Sequence, residues 1–156
     1  MVKNQSGPDI EQVTGYEFTQ PSLLTRALTR RAYAMEKGVS TDLHMDAYAT
    51  LGDAVIELVI LTGIISSGES DKGDVSAKKM DMVNMTVLRQ AAERCDLQSY
   101  ILWGKGEERM HVWTSGRVLA ECMEALIGAV YLDGGLSAAA GVMDHLGLSA
   151  GLVNIP

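Results

Sequence analysis

Four carboxylates lie on two segments that otherwise have the composition of buried helices. Asp46 and Asp53 are seven residues apart in "HMDAYATLGDAVIELVI", so they share one helix face at about 100° per residue. Glu121 and Glu124 are three residues apart in "RVLAECMEALIGAVYLDGG" and also share a face. Like charges in apolar surroundings repel each other unless a cation lies between them. The pattern therefore predicts carboxylates that converge from two helices on one cation.

Carboxylates that meet at a helix contact would form an all-oxygen pocket, which suits Mg²⁺, with Mn²⁺ as a substitute. A metal-bound water in such a pocket can attack a phosphodiester. Asp53 lies where its helix enters an aliphatic run, so we expect it to have a cation or a hydrogen-bond partner. The competing interpretation is that each acidic pair is solvated surface charge and that Asp53 caps a helical turn. Glu57 is interpreted as an ordinary salt-bridging residue.

The composition predicts one globular domain over residues 1–156, with a core of about 10–147. Hydrophobic residues make up 47% of the 156 residues and charged residues 21%. The net charge of −7 argues against a nucleic-acid binder, although acids that hold metal ions also lower the net charge. Cys95 and Cys122 fit no CxxC pattern and are expected to be reduced thiols of a cytoplasmic protein. We expect no signal peptide, no apolar stretch of about 18 residues and no membrane association.

Glycine, proline and polar clusters divide the chain into helical segments. No segment alternates with period two between hairpin turns, so the expected fold is all-α. The residues around Gly104 and Gly106 are expected to form a loop. The expected helices are a short one ending near Gly15, one that opens at Thr19 or Ser22 and ends at Gly38, and others over 45–66, 74–95 with a break near Asn84, 117–132 and 136–147.

Four ordered blocks resemble the ribonuclease III family. "TLGDAVIELVI" resembles the signature helix E-x-x-E-F-L-G-D-A-V, and "LAECMEALIGAVYLDGG" is similar to the second acidic helix almost residue for residue. "GDVSAKKMDMVNMTVLRQAAERCDLQSYILWGKGEE" follows the segment between them, and "YEFTQPSLLTRALTRRAYAMEKG" is similar to the family's opening block. The resemblance runs from about residue 10 to 146. It implies a ribonuclease III endonuclease-domain helical bundle, without a separate double-stranded-RNA-binding domain, as in the compact Mini-ribonuclease III branch.

The resemblance also implies a function and a site. The family's catalytic domain cleaves double-stranded RNA with Mg²⁺ as a homodimer, in which each subunit contributes an acidic cluster to a shared valley. Asp53 takes the place of the signature aspartate, and Glu124 that of the second-helix glutamate that binds metal. Glu121 stands where the family usually has Asp, and Asp46 where the first signature Glu lies, near the dimer contact and the RNA. Asp53, Glu121 and Glu124 are therefore the expected catalytic and metal-binding residues.

The chain departs from the family pattern at several positions. Ala49 lies four residues before Asp53, where most members carry a second glutamate that binds metal, and alanine cannot coordinate an ion. Thr50 replaces an aromatic residue that helps to build the dimer contact, and Arg30 and Ala32 replace the usual His and Ser. One explanation is an active enzyme in which water or Glu121 fills the vacant position. The other is a degenerate domain that acts as an RNA-binding or dimerising module, and the retention of three carboxylates favours activity.

Basic side chains near these helices are expected to hold RNA, because duplex RNA is recognised by shape and backbone. The expected RNA-binding or dimer-valley residues are Asp46, Lys78, Lys79, Lys105 and Arg117. There is no GxGxxG or P-loop pattern, so we expect no small-molecule cofactor. The sequence thus predicts a Mg²⁺-dependent endoribonuclease that leaves 5′-phosphate and 3′-hydroxyl ends.

Overall fold

A computed structural model describes residues 9–38, 40 and 42–149. Within these residues the fold is all-α, as expected: there is no strand, and Thr29 and Leu102 form one isolated bridge. Short 3₁₀ turns occupy Leu97–Ser99 and Val112–Thr114. The α-helices are α1 Ile10–Thr14, α2 Pro21–Ala27, α3 Arg31–Glu36, α4 Asp46–Ser66, α5 Lys72–Met82, α6 Met85–Arg94, α7 Lys105–Met110 and α8 Gly116–His145.

The two long helices, α4 and α8, form the centre of the bundle, and α2 and α6 also pack on α8. Two glycines let the backbones of the two long helices touch. A Cβ atom on Gly52 would lie 1.7 Å from the carbonyl oxygen of Glu124, and one on Gly128 would lie 2.3 Å from that of Tyr48. No side chain larger than hydrogen fits at either position. The close approach places Asp53 of α4, the residue after Gly52, beside Glu124 of α8.

The segment expected to be one helix ending at Gly38 is two helices, and that expectation was wrong. Helices α2 and α3 are separated by Leu28–Arg30, where the backbone pairs with the chain around Leu102 instead of continuing the helix. Pro21 occupies the first turn of α2 as expected, since its missing N–H would have no partner there. Neither Thr19 nor Ser22 is the N-cap of α2; that position is Gln20, whose N–H donates to Asp133 at 2.9 Å.

Most other helix boundaries agree with those expected from the sequence, with one exception at Lys105. α1 ends at Gly15, which adopts the left-handed conformation with φ of 71°. The expected break near Asn84 separates α5 from α6, and the Asn84 side-chain oxygen accepts the N–H of Val87 at 2.9 Å. Gly135, with φ of 81°, interrupts α8 between the two helices expected there. The residues around Gly104 and Gly106 were expected to form a loop, but the chain from Lys105 forms α7.

Both central helices exceed the apolar length that the sequence was expected to contain. By length and composition alone, α4 with 21 residues and α8 with 30 could each cross a membrane. The expectation that no stretch reaches this length was therefore wrong. Their packing on each other accounts for the apolar character, because each buries a face in the common core. Length and composition do not separate such core helices from membrane spans.

The glycine contact gives a prediction for stability. Gly128→Ala should lower the free energy of unfolding by about 1–3 kcal/mol or more, because the new methyl group must force α4 and α8 apart. Gly141→Ala is the matched control on the same helix: its Cβ would meet nothing within 4 Å. It should be neutral or stabilise by up to about 1 kcal/mol. Urea unfolding followed by circular dichroism measures both; equal effects would contradict the close-contact account.

Candidate active site

A cavity of about 520 Å³ opens where α3, α4, α7 and α8 meet. It contains all four carboxylates singled out from the sequence, so the two acidic helices do converge. The close approach at Gly52 explains why, since it fixes the rotation of α4 against α8. The lining residues are Arg30, Arg31, Ala32, Met45, Asp46, Ala49, Thr50, Asp53, Glu107, Glu121 and Glu124.

Asp53 and Glu124 form the centre of the acidic group. Glu124 is half-buried, and burial together with the charges of Asp53 and Glu121 raises its pKa to about 7. Asp53 itself is exposed. It lies at the edge of the apolar run that follows it, whose buried residues face the core. Mutual repulsion of the acids, not deep burial of Asp53, is the feature that a cation would relieve.

Glu121 is held by cations of the chain itself. Its side chain is 41% exposed and lies 3.4 Å from Arg117 Nε and 3.9 Å from Arg30 Nη1. Asp46, at the start of α4, lies 3.6 Å from His44 Nδ1 and is 54% exposed. The structure therefore brings these two acids to the cavity wall, each beside a nitrogen that can carry positive charge.

The acids also face a second cavity on the α6 side. This cavity has a volume of about 310 Å³, and its walls include Asp53, Asn84, Arg117, Glu121 and Glu124. The three predicted catalytic carboxylates thus line both cavities.

The predicted basic residues are only partly gathered at the site. Lys79 pairs with Glu57, and both line a smaller cavity of about 290 Å³ that also includes Asp53. This ion pair confirms the salt-bridging interpretation of Glu57. Lys78 pairs instead with Glu69 at 2.6 Å, in an exposed position. Lys105 is exposed at the start of α7, where its backbone N–H donates to Glu36 at 2.9 Å, and it lines neither of the two larger cavities.

Sequence reasoning missed the ion pair between Arg30 and Glu107. Both nitrogens Nε and Nη2 of Arg30 donate to Glu107 Oε1, at 2.9 and 2.7 Å. Glu107 also accepts the N–H of Gly104 at 3.1 Å, which closes the first turn of α7. The only feature of the sequence that could have indicated this ion pair is the adjacent arginines Arg30 and Arg31 in the partly apolar stretch "RALTRRAYA". It does not indicate the partner, which lies 77 positions away.

The donor chemistry of the cavity fits a hard divalent ion. Asp53, Glu121 and Glu124 offer only oxygen ligands, and burial, followed by the charges of Asp53 and Glu121, raises the pKa of Glu124. Among residues 9–38, 40 and 42–149, however, no three His, Cys, Asp or Glu side chains are gathered closely enough to hold a metal ion. Glu121 would have to leave Arg117 to serve as a ligand. Ala49 lines the cavity without offering a ligand.

This fold is similar to that of solved ribonuclease III nuclease domains. The nuclease domain of ribonuclease III from Campylobacter jejuni aligns with a TM-score of 0.79 at 28% identity, over 88% of this chain and 92% of that chain. A second crystal structure of that domain aligns with a TM-score of 0.77 at 25% identity, over 98% of this chain and all of the other. The expected ribonuclease III helical bundle is confirmed.

Residues 20–149 match the ribonuclease-III-like family, and the chain belongs to it. Ribonuclease 3 of Oleidesulfovibrio alaskensis is 34% identical over 138 residues, which cover 88% of this chain and 60% of that protein. Ribonuclease 3 of Thermobifida fusca is 34% identical over 155 residues, covering 92% and 63%. The chain thus spans about 60% of the length of the curated relatives it matches.

The raised pKa of Glu124 gives a pH prediction. Folding favours its protonated form, so between the ordinary value of 4.5 and about 7 the folded state binds more protons, and stability falls as pH rises through this range. Glu124→Gln should remove this loss and raise the melting temperature at pH 8 by a few degrees, with little change at pH 4. Scanning calorimetry in EDTA measures this. An equal shift at both pH values would contradict the charge-repulsion account.

Proposed function

We propose that this chain is a Mg²⁺-dependent endoribonuclease domain that hydrolyses double-stranded or structured RNA to 5′-phosphate and 3′-hydroxyl ends. The observation that carries the proposal is the convergence of Asp53, Glu121 and Glu124 on one cavity at the contact of α4 and α8. Membership of the ribonuclease-III-like family supports the reaction type. Mg²⁺, or Mn²⁺ as a substitute, would be the only cofactor.

The chain's residues would divide the work as follows. Asp53 and Glu124 would hold the metal ion, with Glu121 as a third ligand once it leaves Arg117. The ion would lower the pKa of a water molecule and stabilise negative charge on the phosphate. Protonation of Glu124 would compete with metal binding, so the Mg²⁺ concentration needed for half-maximal activity should fall as pH rises through about 7. Water attack at phosphorus breaks the bond to the 3′ oxygen, which leaves as a hydroxyl after taking up a proton.

Cationic side chains around the cavity would position the RNA backbone. Arg30 and Arg31 line the larger cavity, and Arg117 lines the second one. Lys78, Lys79 and Lys105 remain candidates for contacts farther along a duplex, although Lys78 and Lys79 are paired with acids of the chain. Recognition through phosphates and 2′-hydroxyl groups requires no base-specific residues.

A second candidate function is an inactive RNA-binding or dimerising module. Two observations favour it: Ala49 offers no ligand, and Glu121 is already engaged by Arg117. The retained repulsion around Glu124 argues for the enzyme, because a structural module gains nothing from keeping three acids together.

Cleavage of a labelled RNA duplex in Mg²⁺ tests the proposal. Glu124→Gln should reduce the rate at least about a hundredfold, because metal-bound charge stabilisation of several kcal/mol is lost. Glu93→Gln is the matched control, since Glu93 is an exposed acid paired with Arg89 on α6, outside both cavities. It should cleave like the unaltered chain. If the unaltered chain is inert in both Mg²⁺ and Mn²⁺, the inactive module is the better description.

We also propose that the chain forms a homodimer through α4. Ala47, Ala54, Leu58 and Ile65 are exposed and follow one another by seven, four and seven residues, which places them on a single face of that helix. Leu58 is 51% exposed and Ile65 60%. Such an apolar stripe is typical of a protein interface. The solved Campylobacter jejuni nuclease domain has a structurally flexible region involved in dimer formation. Thr50, also exposed on α4, is a smaller contact than an aromatic residue.

Sedimentation equilibrium at micromolar concentration tests the dimer. The unaltered chain should sediment at twice its 16.8 kDa mass. Leu58→Lys should shift it to monomer, because the charge would be buried against the partner. Leu132→Lys is the matched control, since Leu132 is 45% exposed and belongs to α8, not to the α4 stripe. A monomeric unaltered chain, or dissociation by both variants, would contradict an interface on α4.

A further inference from the structure

Arg30 is held in the wall of the acidic cavity by two kinds of contact. Glu107 accepts from Nε and Nη2, and the guanidinium carbon lies 5.7 Å from the centre of the Trp103 ring. The Arg30 side chain is only 16% exposed. Burial alone would lower its pKa, but the hydrogen bond and charge of Glu107 outweigh this and raise the pKa. A permanently charged guanidinium is therefore fixed in place before any ligand enters.

The third nitrogen, Nη1, is poorly matched. In the part of the chain that the structure describes, Nη1 lies 3.8 Å from Met45 Sδ, a weak acceptor, and 3.9 Å from Glu121 Oε2, beyond hydrogen-bond distance. The buried Cys122 thiol, also a weak acceptor, is a further neighbour of the Arg30 guanidinium. Nη1 carries two N–H groups, and Arg30 lines the cavity. The fork geometry of arginine is suited to oxygens of phosphate as well as carboxylate. An acceptor oxygen that entered beside Glu121 would complete its hydrogen bonding.

The cavity is mostly acidic, so a fixed positive charge such as that of Arg30 is needed to bind a phosphate there. Five carboxylates line the cavity, against Arg30 and Arg31 as the only lining cations among the described residues. Entry of a polyanionic backbone is therefore opposed unless positive charge meets the phosphate directly. Arg31 is exposed and forms no ion pair with a described residue, whereas Arg30 is already oriented by Glu107. Preorganised donors cost little to align when the anion arrives.

We infer that Arg30 Nη1 binds a non-bridging phosphate oxygen of the RNA backbone in the larger cavity, and that Glu107 is the positioning residue that aims it. The inference rests on the proposed function for the identity of the ligand, an RNA backbone, but not on cleavage. Under this inference, the fixed guanidinium of Arg30 supplies part of the positive charge that contacts the RNA. Ala49, at the same wall, leaves room for that phosphate instead of adding a further acid.

The competing account is that Arg30 serves only to hold Glu121, with which it forms the long 3.9 Å pair. The two accounts differ in what is lost when Arg30 is removed. A phosphate donor contributes to the salt dependence of RNA binding, since each neutralised phosphate releases counterions. A residue that only orders Glu121 contributes to metal binding and leaves the salt dependence unchanged.

The test measures binding, not cleavage, on the full chain. Affinity for a fluorescent RNA duplex is measured by anisotropy across a range of NaCl concentrations, with Ca²⁺ replacing Mg²⁺. Arg30→Met should weaken binding about tenfold at low salt and reduce the slope of log affinity against log salt by about one per site. Lys37→Met removes an exposed charge just after α3, outside the cavity, and should leave the slope unchanged. Mn²⁺ binding to the free protein, measured by calorimetry, should be unchanged or tighter in Arg30→Met.

Two outcomes would overturn the inference. An unchanged slope with weaker Mn²⁺ binding would show that Arg30 supports Glu121 alone. If Arg30→Met fails to fold, Arg30→Lys is measured instead. Lysine keeps the positive charge but lacks the planar guanidinium, so the salt dependence of RNA binding should persist while the affinity for RNA falls severalfold. Unchanged affinity in Arg30→Lys would overturn the inference. Loss of cleavage in every preparation, with the Arg30-dependent slope intact, would remove the proposed activity and leave the phosphate contact standing.

Discussion

The structure depends on the contact between the backbones of α4 and α8. Gly52 lies against the carbonyl of Glu124, and Gly128 lies against that of Tyr48. These reciprocal contacts leave no freedom for either helix to rotate or slide without a clash. Because Asp53 follows Gly52 directly, the same contact that builds the core also sets the position of the acids. Packing and site geometry are therefore one constraint in this protein.

The same helix contact brings negatively charged side chains close together, and their repulsion is unfavourable. Asp53 and Glu121 raise the pKa of Glu124 through their charges, in addition to the larger effect of burial. The chain supplies partial relief from Arg117 and Arg30, whose nitrogens lie 3.4 and 3.9 Å from Glu121. These arginines neutralise only Glu121, so within the described part of the chain the charges of Asp53 and Glu124 are left without a partner at the site. A divalent cation between Asp53 and Glu124 would stabilise the folded state as well as act on a substrate.

The convergence of the acids could be predicted from the sequence because it depends on residue spacings within each helix. Seven- and three-residue spacings on long apolar helices fix which carboxylates share a face, and the structure brings Asp46, Asp53, Glu121 and Glu124 to one cavity. The sequence did not predict the break at Leu28–Arg30, because the backbone there is satisfied by Leu102, far along the chain. The Arg30–Glu107 pair was missed for the same reason. The sequence also did not show that Asp53 is exposed while Val55 and Ile56 are buried, because an apolar run does not show which face turns inward.

The departures from the family pattern, viewed together, change the charge of the site in one direction. A neutral alanine stands at position 49, where the family pattern has an acid, and an always-charged guanidinium stands at position 30, where it has histidine. Both residues line the same cavity. Each change makes the cavity more positive by up to one charge, so the two act in the same direction. A cavity altered in this way opposes the entry of a phosphate less than a fully acidic cavity would.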